Sequence, residues 1–283
     1  MAFDVCHPQI QDAVRRALEE DIGTGDITTY LCVPASARAV GRMVAKQELT
    51  LAGVELLPGV FDALAPRKCE CSIARESGAR LKPGEEIATV TGPARALLTG
   101  ERTALNFIQR LSGVATAAAA YARLMEGTGC RILDTRKTTP GLRRLEKQAA
   151  AAGGAANHRQ GLFDAVLIKN NHITAAGGIR AALVRTHDTE LGVEIEVRTR
   201  AELDEALACG ATHLLLDNLT PAEAREWIAH IRAAKAGIIV ELSGGITLEN
   251  ARAYAETGAD YLSSGAITHS APAVDINFGL TLL

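Results

Sequence analysis

Ile10, Val14, Ala17 and Leu18 recur at helical spacing and predict a helix that ends where GTGDIT breaks the pattern at Gly23. A strand-like stretch covers 41–51, and 53–65 reads as a helix with Pro58 disturbing its middle. Short strands at 69–73 and 86–90 flank the turn Lys82-Pro83-Gly84. Pro93 then opens a long helical pattern over 94–111, which Gly113 separates from the alanine-rich 114–125. Beyond this point the texture becomes regular. Strand-length apolar runs recur at 131–133, 165–168, 193–197, 213–216, 238–242 and 261–262, with helix-compatible segments at 201–208, 221–233 and 248–256. Two stretches repeat one another, from Glu196 through ALACGATHLLL and from Glu241 through AYAETGADYLS. Strand, helix, Gly-Ala and strand in succession imply parallel strands joined by right-handed crossovers. No GxGxxG follows the first of these strands, which favours a barrel over an open nucleotide-binding sheet. Six strands are countable, so an eight-fold closure needs one or two more.

Composition narrows the class. The chain has 283 residues, 47% hydrophobic and 22% charged, which excludes disorder and leaves room for one large α/β domain or two ordinary ones. No run approaches the roughly 20 apolar residues of a membrane span, and the start MAFDVCHPQIQDAVRR lacks the basic-then-apolar order of a signal peptide. The six cysteines are scattered without a CxxC pair, so neither a disulfide framework nor a zinc site is expected. Together these predict a cytoplasmic globular protein.

The net charge of −3 conceals an imbalance. Between Glu101 and His172 there are eleven Arg and Lys against five Asp and Glu, an excess of +6 that leaves −9 for the remainder. Aromatic residues are 4% of the chain and are not interleaved with the basic ones, which argues against binding of single-stranded nucleic acid. The basic stretch suits either a small, highly charged anion or a solvated helix face.

In α/β barrels the chemistry sits at the carboxyl ends of the strands. Those ends read Asp134-Thr135-Arg136-Lys137-Thr138, Lys169-Asn170-Asn171-His172, Glu194 with Glu196, Asp217-Asn218, Ser243-Gly244-Gly245 and Ser264-Gly265-Ala266. Any one of them is an ordinary cap or turn; six together are not. The two glycine ends, with a helix expected to open at Thr247, offer backbone N–H groups to a phosphate. Arg136, Lys137, Arg159 and Lys169 come from three separated segments, beside His158 and His172, and suit a ligand with several negative charges. Glu196 and Asp217 suit ribose hydroxyls, Mg²⁺ or a developing cation, and Glu194 suits the same roles or a buried partner for a basic group. Lys169 is also placed for Schiff-base chemistry.

These strings resemble a known family. ERTALNFIQRLSG (101–113), LDTRKTTPGLRRLEK (133–147), NHRQGLFDAVLIKNNHI (157–173), IEV (195–197), LLLDN (214–218), ELSGGI (241–246) and SSGAITHSAPAVDI (263–276) are similar to quinolinate phosphoribosyltransferases, as are EEDIGTGDIT and AGVE near the start. The resemblance spans essentially the whole chain. It implies an N-terminal α/β sandwich domain (1–113), an incomplete parallel α/β barrel (114–270) and a tail (271–283) returning to the first domain. It further implies transfer of phosphoribose from phosphoribosyl pyrophosphate to quinolinate with decarboxylation, Mg²⁺ arriving with the donor and no organic cofactor. Under it, Arg136, Arg159 and Lys169 hold the quinolinate carboxylates, with Thr135, Lys137 and His158 nearby. Lys137, Lys169, Glu196 and Asp217 are the implied catalytic residues, and Glu196 and Asp217 the implied Mg²⁺ ligands. Ser243, Gly244, Gly245, Ser264, Gly265 and Ala266 form the implied 5′-phosphate cradle. Arg102 resembles an arginine inserted into a neighbouring subunit's site, which implies a homodimer or a larger assembly of such pairs.

Three positions depart from the family pattern: Gln148 for a common Tyr, Asn170 for Asp, and Arg198 where an acidic or polar residue is frequent. Asn170 and Arg198 each make the region more positive. Alternative readings are a molybdate-transport-associated relative of the same fold, an aldolase using Lys169, and a non-catalytic phosphate sensor. A lipoyl-type hairpin at 81–93 has no exposed lysine at its tip in the modifiable position.

Overall fold

The computed structural model describes residues 3–283; Met1 and Ala2, which begin the first expected domain, lie outside the described residues. Two units interleave along the chain. One takes in Met1–Ala119 as far as described, Thr138–Gly154 and Ile267–Leu283, and the other Ala120–Lys137 and Ala155–Ala266. The segment 138–154 therefore groups with the N-terminal part of the chain, although it follows residue 113 in sequence.

In the first unit, α1 (Pro8–Ile22) buries Ile10, Val14 and Leu18, and His7 caps it by accepting from the Gln9 amide. Next come α2 (Ile27–Cys32), β1 (Arg38–Ala45) and β2 (Leu49–Thr50). A 3₁₀ turn at Val54–Leu56 leads into α3 (Leu57–Leu64). Pro58 lies in the first turn of α3, where its missing N–H costs nothing, so it starts a helix rather than disturbing one. Then follow β3 (Glu70–Ile73), β4 (Arg80–Leu81), β5 (Glu86–Pro93) and α4 (Ala94–Met125), of which 94–119 fall in this unit; α5 (Arg143–Ala152) also belongs to it.

The expected break at Gly113 does not occur: α4 runs unbroken for 32 residues. The glycine serves a close approach instead, because a Cβ there would overlap the Pro272 carbonyl oxygen of the returning tail. Gly113→Ala is accordingly expected to cost about 1–3 kcal/mol through overpacking. Urea unfolding followed by far-UV circular dichroism would show a lowered midpoint with an unchanged native spectrum.

The second unit holds β6 (Arg131–Leu133), β7 (Val166–Ile168), α6 (Asn170–Ala176), α7 (Ile179–Val184), β8 (Val193–Val197), α8 (Arg200–Ala208) and β9 (His213–Asp217). It continues with α9 (Pro221–Ala234), β10 (Ile239–Ser243), α10 (Ala251–Ala255) and β11 (Tyr261–Ser263). Reciprocal Thr–Glu capping boxes open α8 (Thr199, Glu202) and α9 (Thr220, Glu223). The chain ends with α11 (Ala266–His269) and β12 (Ile276–Leu282). In the first unit β12 pairs antiparallel with β1 from Ala45↔Ile276 to Ala39↔Leu282, completing a sheet of order β12-β1-β5-β3.

The six strands of the second unit form one parallel sheet, in the order β6-β11-β10-β9-β8-β7. Ile195, Leu214, Leu216, Val240, Leu242 and Leu262 are buried within it, as a sheet covered on both faces requires. Among the described residues β6 and β7 are its edges, and the extra pairing is a single bridge, Leu133↔Ala156. The barrel is incomplete.

Candidate active site

Parallel register brings the strand ends to one level. Asp134, fully buried just after β6, accepts from the His158 amide (2.8 Å) and the Asn157 side-chain amide (2.7 Å), which ties the NHR segment to this strand end. The Lys137 amide donates to the Thr135 hydroxyl, shaping the turn that carries Arg136. Burial and the neighbouring Arg136 guanidinium hold Arg159 below its usual pKa. Two arginines drawn this close repel one another, and an anion between them would remove the cost.

Ile168 pairs with Ile195, so Lys169 and Glu196 stand level on adjacent strands, and the ammonium meets the buried carboxylate at 3.0 Å. His172 does not join this group: its Nδ1 accepts from the Lys169 amide and caps α6. Burial, followed by the charge of Glu196, raises Asp217, while Lys169 and Lys137 act in the opposite sense. Arg198 pairs with Glu202 at 3.7 Å, so its extra charge is compensated within its own helix start.

The glycine loop is built by interlocking. Ser243 pairs with Asp217, and the Asn218 amide donates to the Ser243 carbonyl at 2.9 Å. Gly244 and Gly245 both have positive φ, +94° and +62°. The helix expected at Thr247 begins only at Ala251, because Asn250 bonds the Thr247 amide and the Gly245 carbonyl and holds 247–250 in a turn. The Ser264 hydroxyl donates to the Ile246 carbonyl (3.0 Å), so Ser264 braces this loop and its donor is spent. Gly265 and Ala266 follow at the start of α11.

Beneath this rim lies a polar floor, of which the sequence singled out Glu194 and His158 but neither Glu241 nor His213. Glu194 is 5% and Glu241 1% exposed. His158 Nε2 lies 3.2 Å from Glu194 and 3.6 Å from Glu241, and His213 Nε2 lies 3.3 Å from Glu194. Burial raises Glu194 and lowers His213, and burial with the adjacent Glu194 charge pushes Glu241 up to about 8. His158 thus turns its ring toward the floor rather than the rim. The missed signal was Glu241 itself, a carboxylate inside the apolar run IIVEL.

Residues 26–112 match the family described as "Quinolinate phosphoribosyl transferase, N-terminal domain", and residues 114–279 its C-terminal domain. The chain belongs to the quinolinate phosphoribosyltransferase family. It is 40% identical over 98% of its length to a "Probable nicotinate-nucleotide pyrophosphorylase [carboxylating]" of Bacillus subtilis, covering 95% of that protein. Identity to the nicotinate-nucleotide pyrophosphorylase [carboxylating] of Mycobacterium leprae is 43%, over 95% of this chain and 96% of the relative. The solved nicotinate-nucleotide pyrophosphorylase from Francisella tularensis superposes with a TM-score of 0.91 at 36% identity, over 96% of each chain.

Of the quinolinate phosphoribosyltransferase site residues expected from the sequence, all but Arg102 lie in the second unit. Arg102 is exposed on α4 in the first. Glu196 and Asp217 fit a hard divalent cation: both offer oxygen, and burial followed by the Glu196 charge raises Asp217, a strain that such a cation would relieve.

Proposed function

We propose that the protein transfers the phosphoribosyl group of phosphoribosyl pyrophosphate to quinolinate, releasing pyrophosphate and CO₂ and giving nicotinate mononucleotide for de novo NAD synthesis. The convergence of Arg136 and Arg159, with Lys169 at the end of β7, carries the reading: it suits an acceptor with two adjacent carboxylates. The pyrophosphorylase names of the relatives agree with it.

Arg136, Arg159 and Lys169 hold and orient the acceptor. The Ser243–Gly245 loop, braced by Ser264, receives the 5′-phosphate together with Gly265 and Ala266. As the pyridine nitrogen bonds to C1′ and the C1′–oxygen bond to pyrophosphate breaks, Glu196 and Asp217 stabilise positive charge on the ribose. Lys137, within electrostatic reach of Asp217, lies beside the departing pyrophosphate. The C2–carboxylate bond then breaks, its electron pair is held by the adjacent pyridinium, and a solvent proton replaces CO₂. No covalent bond to the enzyme is needed, so Lys169 acts as a cation. Mg²⁺ arriving with the donor would be held by Glu196 and Asp217 and would neutralise the leaving group.

The deciding experiment is a Mg²⁺-dependent assay with quinolinate, following nicotinate mononucleotide and CO₂, with nicotinate and nicotinamide as control acceptors. Absence of product with the donor still bound would turn the reading toward the molybdate-associated relative.

The working unit is a homodimer in which Arg102 completes the partner's site, and the protein acts in the cytoplasm. In support, Arg102 is exposed, the six cysteines are free, and no helix among the described residues is long and apolar enough to cross a membrane. Arg102→Ala is expected to lose at least about a hundredfold in kcat/KM, roughly 2.7 kcal/mol, without unfolding. Mixing it with inactive Glu196→Gln should restore part of the activity through hybrid dimers. No recovery between subunits that exchange would remove the shared site.

A further inference from the structure

The floor beneath the cations contains an imbalance that one proton resolves. Both Glu241 oxygens and Glu194 Oε1 are buried without a hydrogen-bond partner when the two side chains are carboxylates. Two carboxylates only accept, so neither can satisfy the other. A proton on Glu241 turns one of its oxygens into a donor toward Glu194 and pairs two of these three oxygens in a single step, with Ser263 also beside Glu241. A metal ion is the competing solution, since His158, Glu194 and Glu241 place possible ligand atoms within 4.8 Å of one another. His158 argues against it. Its Nδ1 accepts the Arg159 amide at 2.7 Å, so the ring proton sits on Nε2, the nitrogen that faces the carboxylates. That nitrogen donates a proton and has no lone pair for a metal.

We propose that Glu241 is a protonated positioning residue, whose proton binds Glu194 and holds the floor at one negative charge so that His158 and Arg159 stay set for a dianionic acceptor. The inference rests on the proposed quinolinate reaction for its kinetic consequence but not for its chemistry. The groups facing Glu241 are Glu194 from β8, His158 from the segment after Ala156, and Ser263 from β11. His213 from β9 faces Glu194 from its other side, and Lys169 and Arg159 act on Glu194 from the rim. Loss of the proton places a second negative charge beside Glu194 and opposes binding of the dianion. It also pushes Glu194 against His158, whose Nδ1 anchors the Arg159 amide.

Glu241 is raised to about 8 from the ordinary 4.5, so the proton is held at neutral pH and lost as pH rises through about 8. The KM for quinolinate is expected to rise about tenfold between about pH 7 and pH 9.5, the effect of one unit of pKa coupling, while the KM for phosphoribosyl pyrophosphate stays within about twofold. Glu241→Gln, whose amide supplies a permanent donor, should work at pH 7 and lose that alkaline rise. Glu241→Leu, which removes both the donor and the charge, should raise the quinolinate KM at pH 7 by less than the native alkaline rise and leave it independent of pH. An infrared difference spectrum between about pH 6 and pH 9.5 provides a readout without substrates: a protonated-carboxyl band in the native protein, absent from Glu241→Gln. This spectrum tests the proton even if Glu241→Leu does not fold or quinolinate is not the acceptor. The same alkaline rise in Glu241→Gln, an unchanged carboxyl band in that variant, or a stoichiometric divalent metal lost with the substitution would each overturn the proposal.

Discussion

Gly244→Ala is expected to lower kcat/KM by about a thousandfold, near 4 kcal/mol, with the larger part in the use of phosphoribosyl pyrophosphate. A Cβ at this position would overlap the Asn218 side-chain oxygen and stand 2.9 Å from the Asn218 amide. Asn218 cannot easily retreat: its amide donates to Ser243, its side chain to Asp217 at 2.6 Å, and its own φ is already +60°. The added methyl therefore displaces the Ser243–Gly245 loop and Asp217 together. Gly245→Ala separates sterics from backbone strain. Its φ is +62° but no atom lies within 4 Å of the would-be Cβ, so only the left-handed conformation is penalised, by about 1–2 kcal/mol, or roughly tenfold. Steady-state kinetics with the donor varied would check both. Equal losses in the two variants would show that overlap with Asn218 is not what matters.

Lys169→Ala should lower kcat/KM for quinolinate by about a thousandfold while the affinity for phosphoribosyl pyrophosphate changes less than about threefold. Two losses combine. The substrate forfeits a cation, and Glu196, 6% exposed, loses the ammonium at 3.0 Å and stands as a less compensated carboxylate facing a dianion. Lys169 is nearly half exposed, so the ion pair itself adds little stability, and the melting temperature should move only slightly. Isothermal titration with each substrate separates the outcomes: equal weakening of both ligands would sink the acceptor-specific role. Borohydride reduction in the presence of quinolinate should trap no adduct, consistent with a lysine used as a charge.

Much of this was legible in the chain because its signals are local. Strand-length apolar runs located all six strands of the parallel sheet, and helix-compatible segments between them fall where α8, α9 and α10 form. Helical spacing found Ile10, Val14 and Leu18. The strand-end strings then carried the family, and with it the reaction. Asn170 stayed ambiguous in sequence; in the fold its amide approaches Glu196 at 3.4 Å, a contact that uses backbone rather than the altered side chain.

Glycine was read less well, since its meaning depends on what approaches it. Gly113 looked like a helix break, but its purpose is to admit Pro272, about 160 positions away, and Pro58 looked disruptive only until the start of α3 was known. The same limit applies to ionisable groups. By itself the sequence determined the strands, the order of the strand ends and the charges they carry, because each depends on neighbours a few residues apart. The resemblance already implied an incomplete barrel; only the tertiary structure decided that its sheet ends at β6 and β7, that His158 faces a floor of Glu194 and Glu241, and that Ser264 braces a loop. Those outcomes depend on register between distant strands and on how deeply a charge is buried, quantities that no local pattern of residues contains.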